Sequence, residues 1–337
     1  MSKTLLITGG LGYIGSHAVV TFTNTGYKCV IIDNLSNTNL NVLENIKKTL
    51  NGIEVDFYKI DLLDKKGLKE VFLKYNFDGV LHFAGLKAVG ESCEKPFLYY
   101  ENNVIGSLNL FEIMNEFEVK NIIFSSSATV YKPKDLTDFG LNEKDEVGEC
   151  SNPYGSTKFL IENILRDLVK ARQFKVVNLR YFNPIGAHKD GYLGENPVGI
   201  PNNLLPYIFK VVTGELKEVG VFGSDYDTVD GTGVRDYIDV CDLIDGHLKS
   251  YKYLENINSP IFEVFNLGVG NGVSVMQMIL EVSKIVKKEV PYKILDRRPG
   301  DLATVYCDPT KAKNILSWEA KTPLEESLKN SYNFYNK

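Results

Sequence analysis

Short apolar runs alternate with longer amphipathic stretches over roughly the first 180 residues. The apolar runs predict strands at 4–8, 30–33, 55–59, 80–83, 122–125 and 176–180. The amphipathic stretches predict helices at 14–25, 40–50, 65–75, 97–117 and 153–171. The runs TLLIT, CVIID and NIIFS are apolar throughout, which is typical of parallel strands buried on both faces. This alternation predicts βαβ units and an α/β fold with a doubly wound parallel sheet of the Rossmann type.

The alternation breaks after Tyr181. Residues 183–236 are rich in Gly, Pro, Asn and Asp, a composition typical of loops that carry binding sites. Helical patterns return at 237–254 and 275–287, and one more strand is expected at 262–267. We therefore predict a Rossmann domain over 1–180 and a smaller substrate-binding α/β region over 181–337. Residues from about 237 to 267 are expected to return to the main sheet.

Composition and charge exclude several classes of protein. Hydrophobic residues make up 44% and charged residues 24% of the 337 residues, as in ordinary soluble domains. The formal net charge is −5, which disfavours a nucleic-acid partner. No apolar run reaches about 18 residues, so no membrane span is expected. The N-terminus lacks a signal-peptide pattern. The five cysteines and four histidines lack disulfide or metal spacing, so we expect a reducing, cytoplasmic setting and no metal.

A glycine-rich segment, LLITGGLGYIG, follows the first predicted strand and opens the first predicted helix. Gly10, Gly12 and Gly15 form G-x-G-x-x-G, whereas Gly9, Gly12 and Gly15 form G-x-x-G-x-x-G. Either spacing lets the start of a helix approach a pyrophosphate. Asp33 ends the second predicted strand, where a carboxylate binds ribose hydroxyls and repels a 2′-phosphate. The pattern predicts NAD as the cofactor in preference to NADP.

Tyr154 and Lys158 lie four residues apart in NPYGSTK, so a helix would present both on one face. Either Ser151 or Asn152 is suited to cap that helix. An ammonium beside a phenol is expected to lower the phenol's pKa and make Tyr154 a general base. Such pairs are also frequent on solvated helix faces, so the neighbouring motifs decide the interpretation.

The neighbouring motif is FSSSATVY, which follows the fifth predicted strand. This position places Ser127 at the carboxyl edge of the sheet, where doubly wound folds bind ligands, although serine runs are also typical of turns. Together these residues resemble the extended short-chain dehydrogenase/reductase family and, within it, the UDP-glucose/UDP-galactose 4-epimerases along the whole chain. The matching segments are TGGLGYIGSH, IIDNLSN, HFAGLKAVGES, NNVIGSLNL, FSSSATVY, NPYGSTK, LRYFNPIGAH, GIPNNLLPYI, DGTGVRDYI, FNLGVG and RRPGDLA.

The resemblance assigns roles to individual residues. It implies that Tyr154 is the acid/base, that Lys158 is its electrostatic partner and nicotinamide-ribose anchor, and that Ser127 shares the proton. It implies that NAD is also surrounded by Gly9, Gly12, Tyr13, Ile14, Gly15, Asp33, Asn34, Asn37, Asp61, Leu62, Phe83, Ala84, Lys87, Asn102 and Tyr181. It implies that the UDP-sugar is held by Lys87, Ser127, Thr129, Asn183, Asn203, Leu204, Phe222, Arg235, Tyr237, Arg298, Asp301 and Val305.

The implied reaction is reversible 4-epimerisation of UDP-hexoses. The C4 hydride would pass to NAD, the 4-keto sugar would turn over, and the hydride would return to the other face. The resemblance also implies a homodimer in which 97–117 and 153–171 pack as a four-helix bundle. The alternative is that these helices only cover the sheet. No nucleic acid or membrane partner is expected.

Two positions bear on specificity within the resemblance. Related 4,6-dehydratases carry an Asp-Glu pair after the serine strand, whereas 127–130 reads SATV here and offers no acid for elimination. In similar epimerases, the fourth residue after the Asp of the GD pair walls the sugar pocket, and a small residue there admits N-acetylhexosamines. Counting from Asp301, this residue is Val305, which predicts turnover of the N-acetyl substrates. If the residue that walls the pocket is instead the adjacent Tyr306, the N-acetyl substrates would be excluded.

Other functions remain open at this point. A UDP-uronate epimerase or decarboxylase would need an extra cation, and Arg180 and Arg297 are the candidates in the site segments. A non-catalytic NAD-binding regulator would not need Ser127, Tyr154 and Lys158 together. The segment 131–150 departs from the family pattern and is expected to be a surface loop.

Overall fold

The computed structural model describes residues 2–134, 140–298 and 300–337. Residues 135–139 of the expected surface loop, and position 299 of the RRPGDLA segment, lie outside the described residues. The strands are β1 Thr4–Thr8, β2 Lys28–Asp33, β3 Asp56–Lys59, β4 Gly79–His82, β5 Asn121–Ser127, β6 Lys175–Tyr181, β7 Asn183–Ile185, β8 Val219–Phe222, β9 Val234–Arg235, β10 Tyr237–Asp239, β11 Ile261–Leu267, β12 Val273–Ser274, β13 Tyr292–Leu295 and β14 Thr304–Val305.

The α-helices are α1 Tyr13–Asn24, α2 Asn41–Thr49, α3 Lys65–Lys74, α4 Val89–Glu94, α5 Pro96–Tyr99, α6 Gly106–Glu116, α7 Pro153–Arg172, α8 Leu204–Val212, α9 Val240–Glu255, α10 Val275–Val286, α11 Thr310–Leu316 and α12 Leu324–Tyr335. A π-helical stretch, Tyr100–Ile105, joins α5 to α6. A 3₁₀ turn, Ala128–Val130, follows β5.

The main sheet has seven strands in the order β11-β6-β5-β4-β1-β2-β3. Strand β1 pairs in parallel with β2 on one side and β4 on the other. The chain order therefore reverses at β1, which makes the carboxyl ends of β1 and β4 the switch point where such sheets bind ligands. Buried Leu6, Val30 and Val80 pack in one apolar cluster with Leu110 and Ile161 from the covering helices. The predicted α/β doubly wound fold is confirmed.

Two predicted helices differ from the structure. The helix expected at 97–117 begins at Pro96 and changes to π-helical geometry over Tyr100–Ile105. The helix expected from Tyr237 begins at Val240, because Tyr237–Asp239 forms β10 and pairs with β7. Three residues are too few to show a period of two, so the pattern could not separate this strand from the helix that follows.

The contacts divide the chain into two compact units. The first comprises Met1–Lys132, Glu146–Arg180 and Ile244–Phe265, and the second comprises Pro133–Asp145, Tyr181–Leu243 and Asn266–Lys337. The second unit has its own core, in which Phe209, Val221, Ile279 and Leu328 are buried. Its small sheets pair β10 with β7, β13 with β8, and β9 with both β12 and β14.

Candidate active site

The glycine turn between β1 and α1 packs closely against neighbouring backbone, which only glycine permits. Gly9 has φ +67°, and a Cβ there would lie 2.8 Å from the Ala84 amide nitrogen. A Cβ at Gly15 would collide with the Gly9 carbonyl oxygen. Helix α1 starts after Gly12 without a side-chain cap and without an acidic residue in its first turn. Its uncapped amide groups and the helix dipole fit the pyrophosphate of a dinucleotide.

The acidic residue at the end of β2 is held by backbone amides. Asp33 accepts hydrogen bonds from the amides of Leu11 at 3.1 Å and Leu35 at 2.9 Å. Burial raises the pKa of the Asp33 carboxyl, and these two hydrogen bonds oppose the rise. Beyond β3, Asp61 accepts a 2.7 Å hydrogen bond from the Asn34 side chain. The predicted ribose end of the cofactor site is therefore organised around two neighbouring strand ends.

Most of the other predicted cofactor residues also follow strand ends of the main sheet. Those in the first unit are Tyr13 and Ile14 in the first turn of α1, Asn37 after β2, Leu62 after β3, Phe83, Ala84 and Lys87 after β4, and Asn102 in the π-helical stretch. Tyr181 ends β6 and belongs to the second unit. Because parallel strands end at one edge, the fold brings the loops after β1 to β4 to the same edge of the sheet.

Helix α7 begins where the sequence predicts. The Asn152 side chain accepts a 2.9 Å hydrogen bond from the Gly155 amide, so the cap is Asn152 and not Ser151. Pro153 occupies the first helical turn, where its missing N–H costs no hydrogen bond. The helix thereby presents Tyr154 and Lys158 on one face.

The structure brings Tyr154, Lys158 and Ser127 together. Lys158 is buried, and its Nζ donates a 2.6 Å hydrogen bond to the carbonyl oxygen of Ser125, two residues before Ser127. The Ser127 Oγ accepts from the amide of Thr129 at 3.2 Å and from its hydroxyl at 3.0 Å. The Ser127 hydroxyl also lies near enough to Tyr154 to lower the pKa of its phenol. A phenol, a hydroxyl and an ammonium therefore meet at the carboxyl end of β5.

The pKa values differ from the expectation that Lys158 lowers that of Tyr154. Burial raises the pKa of Tyr154 to about 12, opposed by its hydrogen bond with Ser127. Burial lowers the pKa of Lys158 to about 7, opposed by the charge of Glu162. The expectation is wrong for the protein alone, because desolvation dominates both groups. In addition, the Lys158 Nζ lies 5.9 Å from the centre of the Tyr154 ring and is engaged by the Ser125 carbonyl.

The second unit gathers predicted substrate residues around β9 and β14. Val305 on β14 is the register partner of Arg235 on β9. The Arg235 guanidinium lies 3.7 Å from the Asp301 carboxylate and donates to the Leu302 carbonyl at 3.0 Å. Val305, the predicted specificity residue, therefore lies beside Arg235, which is predicted to bind the diphosphate of the substrate.

Three further pairs involve predicted substrate residues of the second unit. Asn183 on β7 is the register partner of Tyr237 on β10. The Arg298 guanidinium stacks 3.7 Å from the centre of the Phe222 ring. Asn203 precedes α8, whose first residue is Leu204, and donates a 2.7 Å hydrogen bond to Glu195. The predicted residues Lys87, Ser127 and Thr129 lie in the first unit.

Sequence reasoning missed the residues that hold the loop carrying Lys87. The Asn103 amide donates to the Leu86 carbonyl at 3.0 Å and to the Thr157 hydroxyl of α7 at 3.1 Å. The Tyr99 hydroxyl donates to the Ala88 carbonyl at 2.8 Å. The Asn-Asn pair in the matched NNVIGSLNL segment was the available signal.

Asp236 was also missed, although it lies between two predicted substrate residues. It is fully buried and accepts hydrogen bonds from the amides of Val269 at 2.8 Å, Gly270 at 3.0 Å and Cys307 at 3.2 Å. Burial raises the pKa of its carboxyl, and these hydrogen bonds oppose the rise. Asp236 therefore ties β9 to two neighbouring loops of the second unit.

His82 has a structural environment. It shares hydrogen bonds with Thr8 at 2.7 Å and Ser107 at 2.9 Å, and burial lowers its pKa to about 3. Over 2–134, 140–298 and 300–337, no group of three metal-ligating side chains is suited to a metal ion. Over the same ranges, no helix combines the length and apolar character needed to cross a membrane.

The fold and these groups define a dinucleotide-dependent enzyme of the short-chain dehydrogenase/reductase class. A family model described as GDP-mannose 4,6 dehydratase matches residues 6–331. The UDP-glucose 4-epimerase of Bacillus subtilis is 49% identical over 97% of this chain and 95% of its own. UDP-glucose 4-epimerase 2 of Arabidopsis thaliana is 46% identical over 99% of this chain and 95% of its own.

A solved structure is equally similar. The UDP-glucose 4-epimerase of Bifidobacterium longum, in complex with NAD+ and UDP, has a TM-score of 0.94 and 46% identity, covering 99% of this chain and 98% of that one. The chain belongs to the UDP-glucose 4-epimerase family.

Proposed function

We infer that this protein interconverts UDP-glucose and UDP-galactose by epimerisation at C4 with NAD as its cofactor. The observation that carries this function is the meeting of Ser127, Tyr154 and Lys158 at the edge of the sheet that also carries the glycine turn. Relatives at 46% and 49% identity bear the same activity in their names. The B. longum structure holds NAD+ and UDP.

The residues present fit NAD. The turn at Gly9, Gly12 and Gly15 would hold the pyrophosphate, Asp33 the adenine ribose, and Lys158 the nicotinamide ribose. When bound, NAD supplies a reversible hydride acceptor for C4 of the sugar. A carboxylate at Asp33 disfavours the 2′-phosphate of NADP because like charges would meet there.

The proton steps belong to this chain's own side chains. Tyr154, ionised as its phenolate, takes the proton of the sugar's 4-hydroxyl as C4 is oxidised and returns that proton as C4 is reduced, with Ser127 hydrogen-bonded between the two oxygens. In the NAD complex, the protonated form of Lys158 would add positive charge on the same helix face and favour the phenolate of Tyr154 over the phenol. The reaction has no net change of protons or electrons, so the same residues serve both directions.

Turnover at limiting cofactor tests this function. With NAD present only at the concentration of enzyme, UDP-galactose is expected to be converted to UDP-glucose many times over, without NADH accumulating. Product equal to or less than the NAD supplied would contradict an epimerase. A non-catalytic NAD-binding regulator would give no product.

The second unit supports a UDP-sugar as substrate. Arg235 and Arg298 would neutralise the diphosphate, and Asn183 and Tyr237 lie side by side on β7 and β10. The two candidate arginines for a uronate carboxylate are already paired. Arg180 lies 2.7 Å from Glu162, and Arg297 lies 2.7 Å from Asp225. This pairing argues against a uronate epimerase or decarboxylase. The SATV segment after β5 likewise lacks the acid needed for dehydration.

N-acetylhexosamine substrates are the finer part of the proposal. Val305 is much smaller than tyrosine, so we expect wild-type enzyme to convert UDP-N-acetylgalactosamine to UDP-N-acetylglucosamine. Val305→Tyr is expected to lower kcat/KM for the N-acetyl pair by about 100-fold through steric exclusion, while UDP-galactose turnover is kept. Val305→Ala is the matched control that keeps the space open. Absence of wild-type turnover of the N-acetyl pair would overturn this extension.

We also propose that the protein is a homodimer and that it works in the cytoplasm. Phe97 is 88% exposed and Ile105 50%, and with Leu98 and Leu160 they put apolar side chains on the surface of the first unit. A second copy would cover them in a homodimer, because water contact with this much apolar surface is unfavourable. Light scattering that gives the monomer mass of 37.9 kDa at working concentration would contradict the dimer. All five cysteines are free, which supports a reducing cytoplasmic setting.

A further inference from the structure

A buried ion pair at the end of β6 has no role in the reaction described so far. The Arg180 Nε and Nη2 donate to the two carboxylate oxygens of Glu162 at 3.0 and 2.7 Å. Their side chains are 2% and 1% exposed. Burial opposes ionisation of Arg180, but the hydrogen bonds and charge of Glu162 raise its pKa above the usual value. Buried ion pairs are weak sources of stability, so this one calls for another explanation.

The pair is connected to the catalytic group through α7. Tyr154, Lys158 and Glu162 follow one another at intervals of four residues and lie on one helix face. Lys158 donates to the Ser125 carbonyl at 2.6 Å, and the Ser126 hydroxyl donates to Glu162 at 2.6 Å. Two consecutive residues of β5 are therefore tied to two consecutive turns of α7.

The next residue of β5 is Ser127, whose hydroxyl lies near Tyr154 and lowers the pKa of its phenol. On its other side, the chain continues through the 3₁₀ turn to Tyr131, whose ring centre lies 4.7 Å from the Arg180 guanidinium. Arg180 and Glu162 thus hold the chain both before and after the segment that carries Ser127 and Thr129. This arrangement restricts the position of the Ser127 hydroxyl relative to α7.

We propose that Glu162, with Arg180 as its charge partner, is a positioning residue for the epimerisation proposed above. It holds Ser126, and through Ser126 the hydroxyl of Ser127, at the distance from Tyr154 that proton exchange requires. Misplacement of a reacting group by about 1 Å can cost about 100-fold in rate, so loss of this tie should act on kcat. Arg180 neutralises the charge of Glu162. The Glu162 carboxylate can therefore accept the hydrogen bond from Ser126 without being an unpaired buried ion.

Ser126→Ala removes the tie and keeps both charges. With UDP-galactose and saturating NAD, we expect kcat to fall by about 10- to 100-fold while KM stays within about twofold, and the melting temperature to stay within a few degrees of wild type. Ser331→Ala is the matched control, since Ser331 is a buried serine of α12 whose hydroxyl donates to the Ser327 carbonyl at 2.9 Å. It is expected to keep the wild-type kcat.

Two double variants distinguish the loss of the hydrogen bond between Glu162 and Ser126 from the effect of leaving a buried charge unpaired. Glu162→Leu with Arg180→Met makes the site apolar and keeps it filled, so folding is expected to survive while kcat falls as in Ser126→Ala. Glu162→Gln with Arg180→Met restores an amide oxygen that accepts from Ser126, and is expected to recover most of the lost kcat.

Wild-type values of kcat in both Ser126→Ala and the apolar double variant would overturn the proposal. So would a rise in KM that accounts for the whole loss, or equal losses in Ser331→Ala. Failure of wild-type enzyme to turn over UDP-galactose would instead count against the proposed function, which these variants leave untouched.

Discussion

Tyr154→Phe is expected to lower kcat for UDP-galactose by about 100- to 10,000-fold, the range that a positioned acid/base contributes. The phenylalanine ring keeps the packing of α7 but has no oxygen to exchange a proton with the sugar or to bond with Ser127. KM is expected to change little, because the predicted UDP contacts lie on other residues. The loss would therefore be one of transition-state stabilisation.

Steady-state kinetics in both directions, with NAD affinity measured by titration, check this result. Tyr253→Phe is a suitable control, because Tyr253 of α9 packs edge-on against Phe265 of β11 and its hydroxyl has no part in the proposed chemistry. We expect its kcat to stay within about twofold of wild type. Near-wild-type turnover by Tyr154→Phe would refute the proton role assigned to Tyr154.

Lys158→Met is expected to affect activity and stability in opposite directions. Turnover should fall by about 100-fold or more, since the ammonium beside Tyr154 and the nicotinamide-ribose anchor are both lost. Stability should rise, because burial lowers the pKa of Lys158 from 10.5 to about 7 and the folded protein binds this proton less tightly than the unfolded chain. The lost hydrogen bond to Ser125 offsets part of the gain, which leaves about 2 kcal/mol.

The predicted effect of Lys158 on the free energy of unfolding depends on pH. The destabilising effect of Lys158 is complete below pH 7 and disappears as pH rises towards 10.5, where the unfolded chain also loses the proton. Melting temperatures of nucleotide-free protein should therefore favour Lys158→Met at neutral pH and converge with wild type at alkaline pH. Lys69→Met, on an exposed pair with Glu116, should leave the melting temperature nearly unchanged at both pH values. A Lys158→Met protein that is less stable than wild type at neutral pH would contradict the lowered pKa of Lys158.

Much of the fold was predictable because the main sheet is parallel and buried. Continuous apolar runs such as Thr4–Thr8 identify its strands, and the amphipathic stretches between them identify the covering helices. The prediction of secondary structure was wrong where one pattern of apolar residues is compatible with two kinds of element. Apolar residues at helical spacing do not show that Tyr100–Ile105 takes π-helical geometry, and Tyr237–Asp239 is too short to reveal a strand.

The positions of the proposed catalytic residues were also predictable, because a helix face and a strand end are local properties of the chain. The spacing of Tyr154 and Lys158 and the position of Ser127 after β5 follow from the sequence. The ties that hold them did not, since Glu162 and Arg180 are 18 residues apart and meet only when β6 packs against α7. Asn103, whose amide reaches Thr157 across 54 residues, was missed for the same reason.

Sequence alone predicted the alternation of strands and helices in the main sheet, the glycine turn and the candidate reacting groups, because each depends on residues close together in the chain. The tertiary structure decided how those groups ionise and what holds them. Burial sets the pKa of Tyr154 at about 12 and that of Lys158 at about 7, against the expectation drawn from their spacing. Desolvation depends on every residue packed around a side chain, and most of those residues are distant in sequence.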